Sequence, residues 1–216
     1  MTRPITFLAG AAVLMAAFGA PAFAQGVPQA VSLTKVDPSS LATGYRVSKV
    51  VGSPVVNAAK ESVGTIDDLI VTANSNVPFA VLSVGGFLGV GAKYVVVPYN
   101  VLVVQEKQML FRDATKDSVK ILPDISSLTT GIRTSKVVGA NIVNGANETV
   151  GTVDDLIVTP NEKVPFAVLS VGGFLGMGTK YVVVSYSALE IHDKQIKIRD
   201  ASKESLLSLP EFNYSK

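Results

Sequence analysis

The chain has no cysteine among its 216 residues, which excludes disulfides, thiolate metal sites, cysteine nucleophiles and lipid attached to a cysteine. Charge of one sign is lacking too. Lys and Arg number 19 against 17 for Asp and Glu, and their scatter along the chain leaves no electrostatic footprint for nucleic acid. Histidine occurs once, as His192. Long apolar runs are missing after the first 24 residues, because Gly, Pro, Asp or Lys interrupts each one before it could span a bilayer.

Residues 1–24 do carry an apolar run, and its context is that of a secretory signal: a cationic start at Arg3, an apolar stretch over residues 5–20, and Ala22-Phe23-Ala24 before Gln25. The run is shorter than the roughly 20 residues of a spanning helix, and Pro21 follows it. The mature protein is therefore expected to begin at Gln25, in the periplasm of a Gram-negative cell. Residues 25–36 are polar, rich in small side chains and aperiodic, as in a flexible linker.

Beyond the linker the chain repeats itself. Residues 37–123 return as residues 124–210 at a constant offset of 87, without a gap, and about 56 of the 87 paired positions are identical. A period this long exceeds that of solenoids and propellers, so the copies are expected to be two small globular domains, with a tail over residues 211–216. At this size each buries a little over about 60% of its unfolded surface, and contact between copies would add to that.

Within one copy the signal is β almost throughout, with Val, Ile, Tyr, Phe and Thr concentrated in residues 45–51, 55–57, 63–72, 77–84, 93–99 and 109–112. Turn chemistry separates these runs. Residues 58–61 match the positive-φ-tolerant stretch around Asn144–Glu148, and Glu106-Lys107 is short enough for a tight hairpin. Several runs, such as residues 94–97, are apolar on both faces, which suits a small closed barrel whose strands also meet a neighbour. The convincing helical signal lies near the end of each copy, where Thr115 or Ser202 can cap, Asp117 or Glu204 favours the dipole, and Pro123 or Pro210 stops the helix.

The most distinctive segment is GGFLGVGAK at residues 85–93, repeated as GGFLGMGTK at 172–180. Gly173 and Gly178 imitate a phosphate-binding loop, but Lys180 comes one residue late, no Ser or Thr follows, and a strand continues where a helix should begin. The glycines read instead as a hairpin loop with positive φ, in which Phe87 and Phe174 plug the barrel end while Leu88 and Leu175 stay partly exposed as candidate docking residues for a partner protein or a membrane surface. Asp67-Asp68 and Asp154-Asp155 resemble paired carboxylates, yet adjacent side chains on a strand diverge unless a bulge intervenes. Hydrogen bonding to turn amides or pairing with Arg or Lys is the expected use. His192 is matched by Gln105 in the other copy, so a function shared by both copies cannot need it. No Ser-His-Asp, zinc or cofactor constellation can be assembled symmetrically, which points to a protein that is not an enzyme and carries no cofactor.

Taken together, RVSKVVG at residues 46–52, VGTIDDLIV at 63–71 and VGGFLGVGAK at 84–93, each repeated 87 residues later, resemble the PRC-barrel domain. The resemblance covers most of each copy and includes the final helix and Leu-Pro. It implies an all-β fold of two tandem barrels of about six strands each, each with a short C-terminal helix, and a bias toward protein docking rather than catalysis. The expectation for function is an exported, non-catalytic protein-binding or scaffold module; the alternative is a periplasmic carrier of a small ligand or metal ion in the barrels or between them.

Overall fold

The computed structural model describes residues 41, 44–86, 91–128, 130–161, 163–174, 177–192 and 195–214, with only the backbone of Phe174 and Met177. The signal and linker segments, Phe87, Leu88, Leu175 and the side chain of Phe174 lie outside the described residues.

The first copy runs β1 (Tyr45–Arg46), α1 (Val47–Val50), β2 (Pro54–Val56), β3 (Ser62–Val71), β4 (Phe79–Val84), β5 (Lys93–Pro98), β6 (Val103–Gln105), β7 (Gln108–Leu110) and α2 (Lys116–Lys120). The second repeats this as β8 (Ile132–Arg133), α3 (Thr134–Val137), β9 (Asn141–Val143), β10 (Thr149–Val158), β11 (Phe166–Phe174), β12 (Met177–Ser185), β13 (Glu190–His192), β14 (Gln195–Lys197) and α4 (Lys203–Leu207). Each copy orders its strands alike, β5-β4-β3-β2-β7-β6 and β12-β11-β10-β9-β14-β13. All neighbours are antiparallel except β2 with β7 and β9 with β14.

Each of these sheets also takes a seventh strand from the other copy. Strand β8 pairs with β3, Ile70 opposite Arg133 and Val71 opposite Ile132, while β1 pairs with β10, Tyr45 opposite Val158 and Arg46 opposite Ile157. The sheets thus cross the repeat boundary. The turns after β3 and β10 also meet, through an Asn76–Lys163 bridge and a 2.8 Å bond from Val164 N to Ser75 O. Buried apolar residues of both copies form one contiguous cluster, and the last three residues of β3, Leu69, Ile70 and Val71, are all buried. That is the physical content of runs that are apolar on both faces: one face meets the barrel core, the other is covered by the visiting helix, and the visiting strand extends the sheet at its edge.

Local chemistry explains the elements. Gly64 and Gly151 sit where an added Cβ would lie 2.9 and 2.8 Å from the carbonyls of Ser83 and Ser170, so only glycine lets the strands approach. Helix α2 opens on a capping box in which Ser118 N donates to Thr115 Oγ1 at 3.0 Å and Thr115 N to Ser118 Oγ at 2.8 Å; Ser202 and Ser205 do the same for α4. The hairpin at Glu106-Lys107 is tight, Gln105 pairing with Gln108. Strand β6 falls outside the predicted runs, being three residues long with only two β-branched side chains. In the second copy the β11–β12 ladder extends to Phe174 opposite Met177, leaving a two-residue connection rather than a long loop.

Candidate functional site: two reciprocal hooks and their sockets

Residues 45–51, predicted as a strand, leave the extended conformation after Arg46 and make one helical turn. Valine at two of its four positions disfavours that turn, and α1 has no side-chain cap of its own. The cap comes from the other copy. Ser48 N donates to Asp155 Oδ1 at 3.1 Å and Ser48 Oγ to Asp155 Oδ2 at 2.5 Å, so Asp155 satisfies the second-residue amide that an N-cap side chain would normally satisfy. Helix α3 is capped the same way by Asp68, through Ser135 N at 3.2 Å and Ser135 Oγ at 2.5 Å.

A bulge brings each carboxylate to its place. The β3–β4 register shifts between Ile66 and Asp68, and the β10–β11 register between Val153 and Asp155. The adjacent acids diverge as expected: Asp68 and Asp155 are 1% and 0% exposed, whereas Asp67 and Asp154 are half-buried at the rim. Glycine admits each hook, because a Cβ at Gly44 would collide with Ile157 Cγ2 and one at Gly131 with Ile70 Cγ2. Val50 and Val137 then enter the core.

The joints differ in detail. Asp155 accepts from Arg46 Nε at 2.8 Å and from Leu156 N at 2.9 Å. Asp68 accepts from Thr134 Oγ1 at 2.7 Å and Leu69 N at 2.9 Å, while Arg133 stands 3.7 Å from Asp67. Burial pushes the Asp67 carboxyl above its ordinary pKa, partly offset by Arg133. Burial works against the Arg46 charge, but the bond to Asp155 and the nearby Tyr214, Asp155 and Asp154 hold its pKa above the ordinary value.

Among the described residues, only the joint at Asp155 is closed by the tail. Tyr214 donates its hydroxyl to Asp154 Oδ2, Arg46 lies 3.5 Å over the Tyr214 ring, and Phe212 and Tyr181 pack on the same ring at centroid distances of 5.0 and 5.7 Å. Burial, then the bond to Asp154, drives the Tyr214 hydroxyl pKa far up. Tyr214 lies in the tail beyond the second copy, so the internal symmetry does not reveal it. The available signal is two aromatic residues, Phe212 and Tyr214, beyond the proline that stops the last helix.

The other singled-out residues fall into place. Lys93 Nζ donates to the carbonyls of Lys120 at 2.5 Å and Leu122 at 3.1 Å, and Lys180 Nζ to that of Leu207 at 2.6 Å; the lysines of the glycine segments close helix C-termini. Gly172, Gly173 and Gly178 have φ of 78°, 75° and 73°. His192 is exposed at the end of β13. Among the described residues, no three His, Cys, Asp or Glu come together as metal ligands, and no helix is long and apolar enough to cross a membrane. Of the clefts, one of about 620 Å³ lies between the first hook and the β6–β7 hairpin, lined by Tyr45, Lys49, Val104 and Met109 among others. Another of about 450 Å³ lies beside Gly85, Gly86, Lys116 and Lys120. Asp68 and Asp155 line neither.

Comparison with known proteins adds a family. The PRC-barrel domain matches residues 42–124 and again residues 130–204. Among solved structures the chain is similar to one described as a putative 16S ribosomal RNA processing protein, RimM, from Pseudomonas aeruginosa, at 11% identity over 62% of this chain and 96% of that one, with a TM-score of 0.24, a likeness too slight to bear on fold or function. No curated protein matches the chain.

Proposed function

Since the chain belongs to the PRC-barrel family and carries two of its domains in tandem, we propose that it is a non-catalytic protein-binding or scaffold module, exported to the periplasm with loss of residues 1–24. The observation that carries this reading is the use of the polar groups. Asp68, Asp155, Ser48, Ser135, Lys93 and Lys180, three matched pairs among the polar residues common to both copies, are engaged in holding strands, helix ends and hooks together. A buried carboxylate that accepts several internal hydrogen bonds has no free site for a substrate. Docking is assigned to the glycine segments, with Leu88 and Leu175 as contact residues and Phe87 and Phe174 as plugs.

Capture from a periplasmic fraction tests it: the Leu88→Ser, Leu175→Ser double variant should keep its Tm and lose partner yield. Wild-type yield of every partner defeats the docking assignment. Intact mass of the periplasmic protein should begin at Gln25, and full-length chain recovered from membranes defeats export. Each copy is also proposed to hold a complete barrel, so residues 37–123 expressed alone should be β-rich by circular dichroism, though weakened by the missing β8 and α3. A carrier of a small ligand is the second reading, favoured by the 620 Å³ cleft, a volume usual for small-molecule sites. Replacing Met109 at its floor by Trp would then abolish ligand binding.

A further inference from the structure

Each hook is joined to one barrel by covalent chain and to the other by contacts alone. Hook one, β1 and α1, leads into β2 through Val51, Gly52 and Ser53, yet seats on β10. Hook two, β8 and α3, leads into β9 and seats on β3. The molecule is therefore two halves that clasp each other, residues 44–123 and 131–210, with a single stretch of chain linking them. What holds a hook is local to the joint: a two-residue ladder, the serine amide and hydroxyl on the carboxylate, a further bond from Arg46 or Thr134, and a valine in the core. None of these groups registers whether hook and socket belong to the same chain.

The link between halves lies at the surface, a single 3-10 turn over Ile125–Ser127 held mainly by its own hydrogen bonds. After the bridge from Val95 to Asp124 its described residues are exposed or only half-buried, and Ile125, Leu128 and Thr130 edge an open groove of about 380 Å³ with Ile70 and Arg133. A segment with so little apolar surface buried loses little packing when it straightens. The corresponding stretch after the second barrel is packed, with Phe212 N on Tyr181 O at 2.8 Å and Tyr214 against Arg46.

From these observations we infer that the hook and socket form an intermolecular interface as well, whose partner is a second copy of this chain. Two chains open at the 124–131 link and trade halves, so that hook one of each enters the Asp155 socket of the other and hook two the Asp68 socket. The exchange breaks no net joint and creates no new one, which is what makes such swapping a low-cost route to dimers. Its balance is set by protein concentration against the effective concentration of the tethered half, on the order of millimolar for a short link. The closed single chain dominates in dilute solution and the exchanged dimer where the protein is crowded.

The absence of cysteine makes the test clean. Tyr45 and Val158 are Cα partners in an antiparallel pair, at a separation a disulfide can span. The full chain carrying both Tyr45→Cys and Val158→Cys should close within one molecule, without a dimer appearing in dilute solution. Chains carrying Tyr45→Cys alone and Val158→Cys alone, unfolded together and refolded at rising concentration, should yield a covalent species of twice the chain mass with one chain of each kind and an unchanged circular dichroism spectrum. If the doubly substituted chain closes internally while the mixture gives no such heterodimer at any concentration, the inference is overturned. Ile132→Cys with Val71→Cys repeats the experiment across the other joint, should the substitution at Val158 disturb folding.

Discussion

At the first joint the buried carboxylate of Asp68 is held by the hydroxyls of Thr134 and Ser135 and the amide of Ser135, and Arg133 is drawn off to Asp67. At the second, position 47 is valine where position 134 is threonine, Arg46 bonds Asp155 directly, and Tyr214 covers the arginine. One scaffold thus satisfies the same buried carboxyl group in two ways, by neutral donors alone or with the addition of an arginine roofed by an aromatic ring. The exchange geometry depends on the carboxylate and the serine, which both joints share. What surrounds them sets how strongly each joint is locked.

The largest effect should come from the carboxylates. Asp155→Ala strands a partly buried guanidinium and two serine donors, and is expected to cost about 3–5 kcal/mol in urea unfolding. Asp68→Ala strands only neutral donors and should cost less, about 2–3 kcal/mol. Equal losses would mean that Arg46 adds nothing to its joint.

Alkaline pH should act on both copies alike, through a pair of matched tyrosines. Burial pushes the hydroxyls of Tyr99 and Tyr186 up to about 12. A group whose folded pKa lies above its unfolded value, here about 10, contributes stability that is complete below the unfolded value and is lost as pH rises through the folded one. Each is therefore expected to withdraw about 2–3 kcal/mol between roughly pH 10 and 12, seen as a falling Tm and a delayed rise in phenolate absorbance. Tyr99→Phe removes its share of that loss and, because its buried hydroxyl has no hydrogen-bond partner among the described residues, should leave neutral-pH stability within about 1 kcal/mol of wild type or above it.

The tail separates the joints more gently. Tyr214→Ala removes a cation–π contact and a hydrogen bond at the second joint only, so about 1–2 kcal/mol should be lost. Hydrogen exchange should quicken at the Ser48 amide and stay unchanged at Ser135. The smallest effect concerns a turn. Lys60 has φ of 63° where its counterpart Asn147 has 61°, and asparagine tolerates that region far better than lysine. Lys60→Asn should therefore raise stability by about 0.5–1 kcal/mol.

Much of this was legible in the residues. The β runs, the Thr115 and Ser202 caps, the tight hairpin and the divergence of the adjacent aspartates all follow from patterns a few residues long. The hooks were legible only in part. Residues 45–51 carry strand propensity, and what overrides it is a carboxylate more than a hundred positions away, which no local pattern contains. Tyr214 was hidden for a different reason, lying in the one stretch where the repeat has run out.

By itself the sequence determines a duplicated β unit, because alternation, turn residues and caps act over a few neighbouring positions and occur twice. Which copy receives which hook was decided only by the tertiary structure. The two sockets present nearly the same residues to nearly the same hooks, so local preference cannot distinguish them. The choice rests on where the barrels bring Asp68 and Asp155, and on the buried carboxylates' need for donors that their own strands cannot supply.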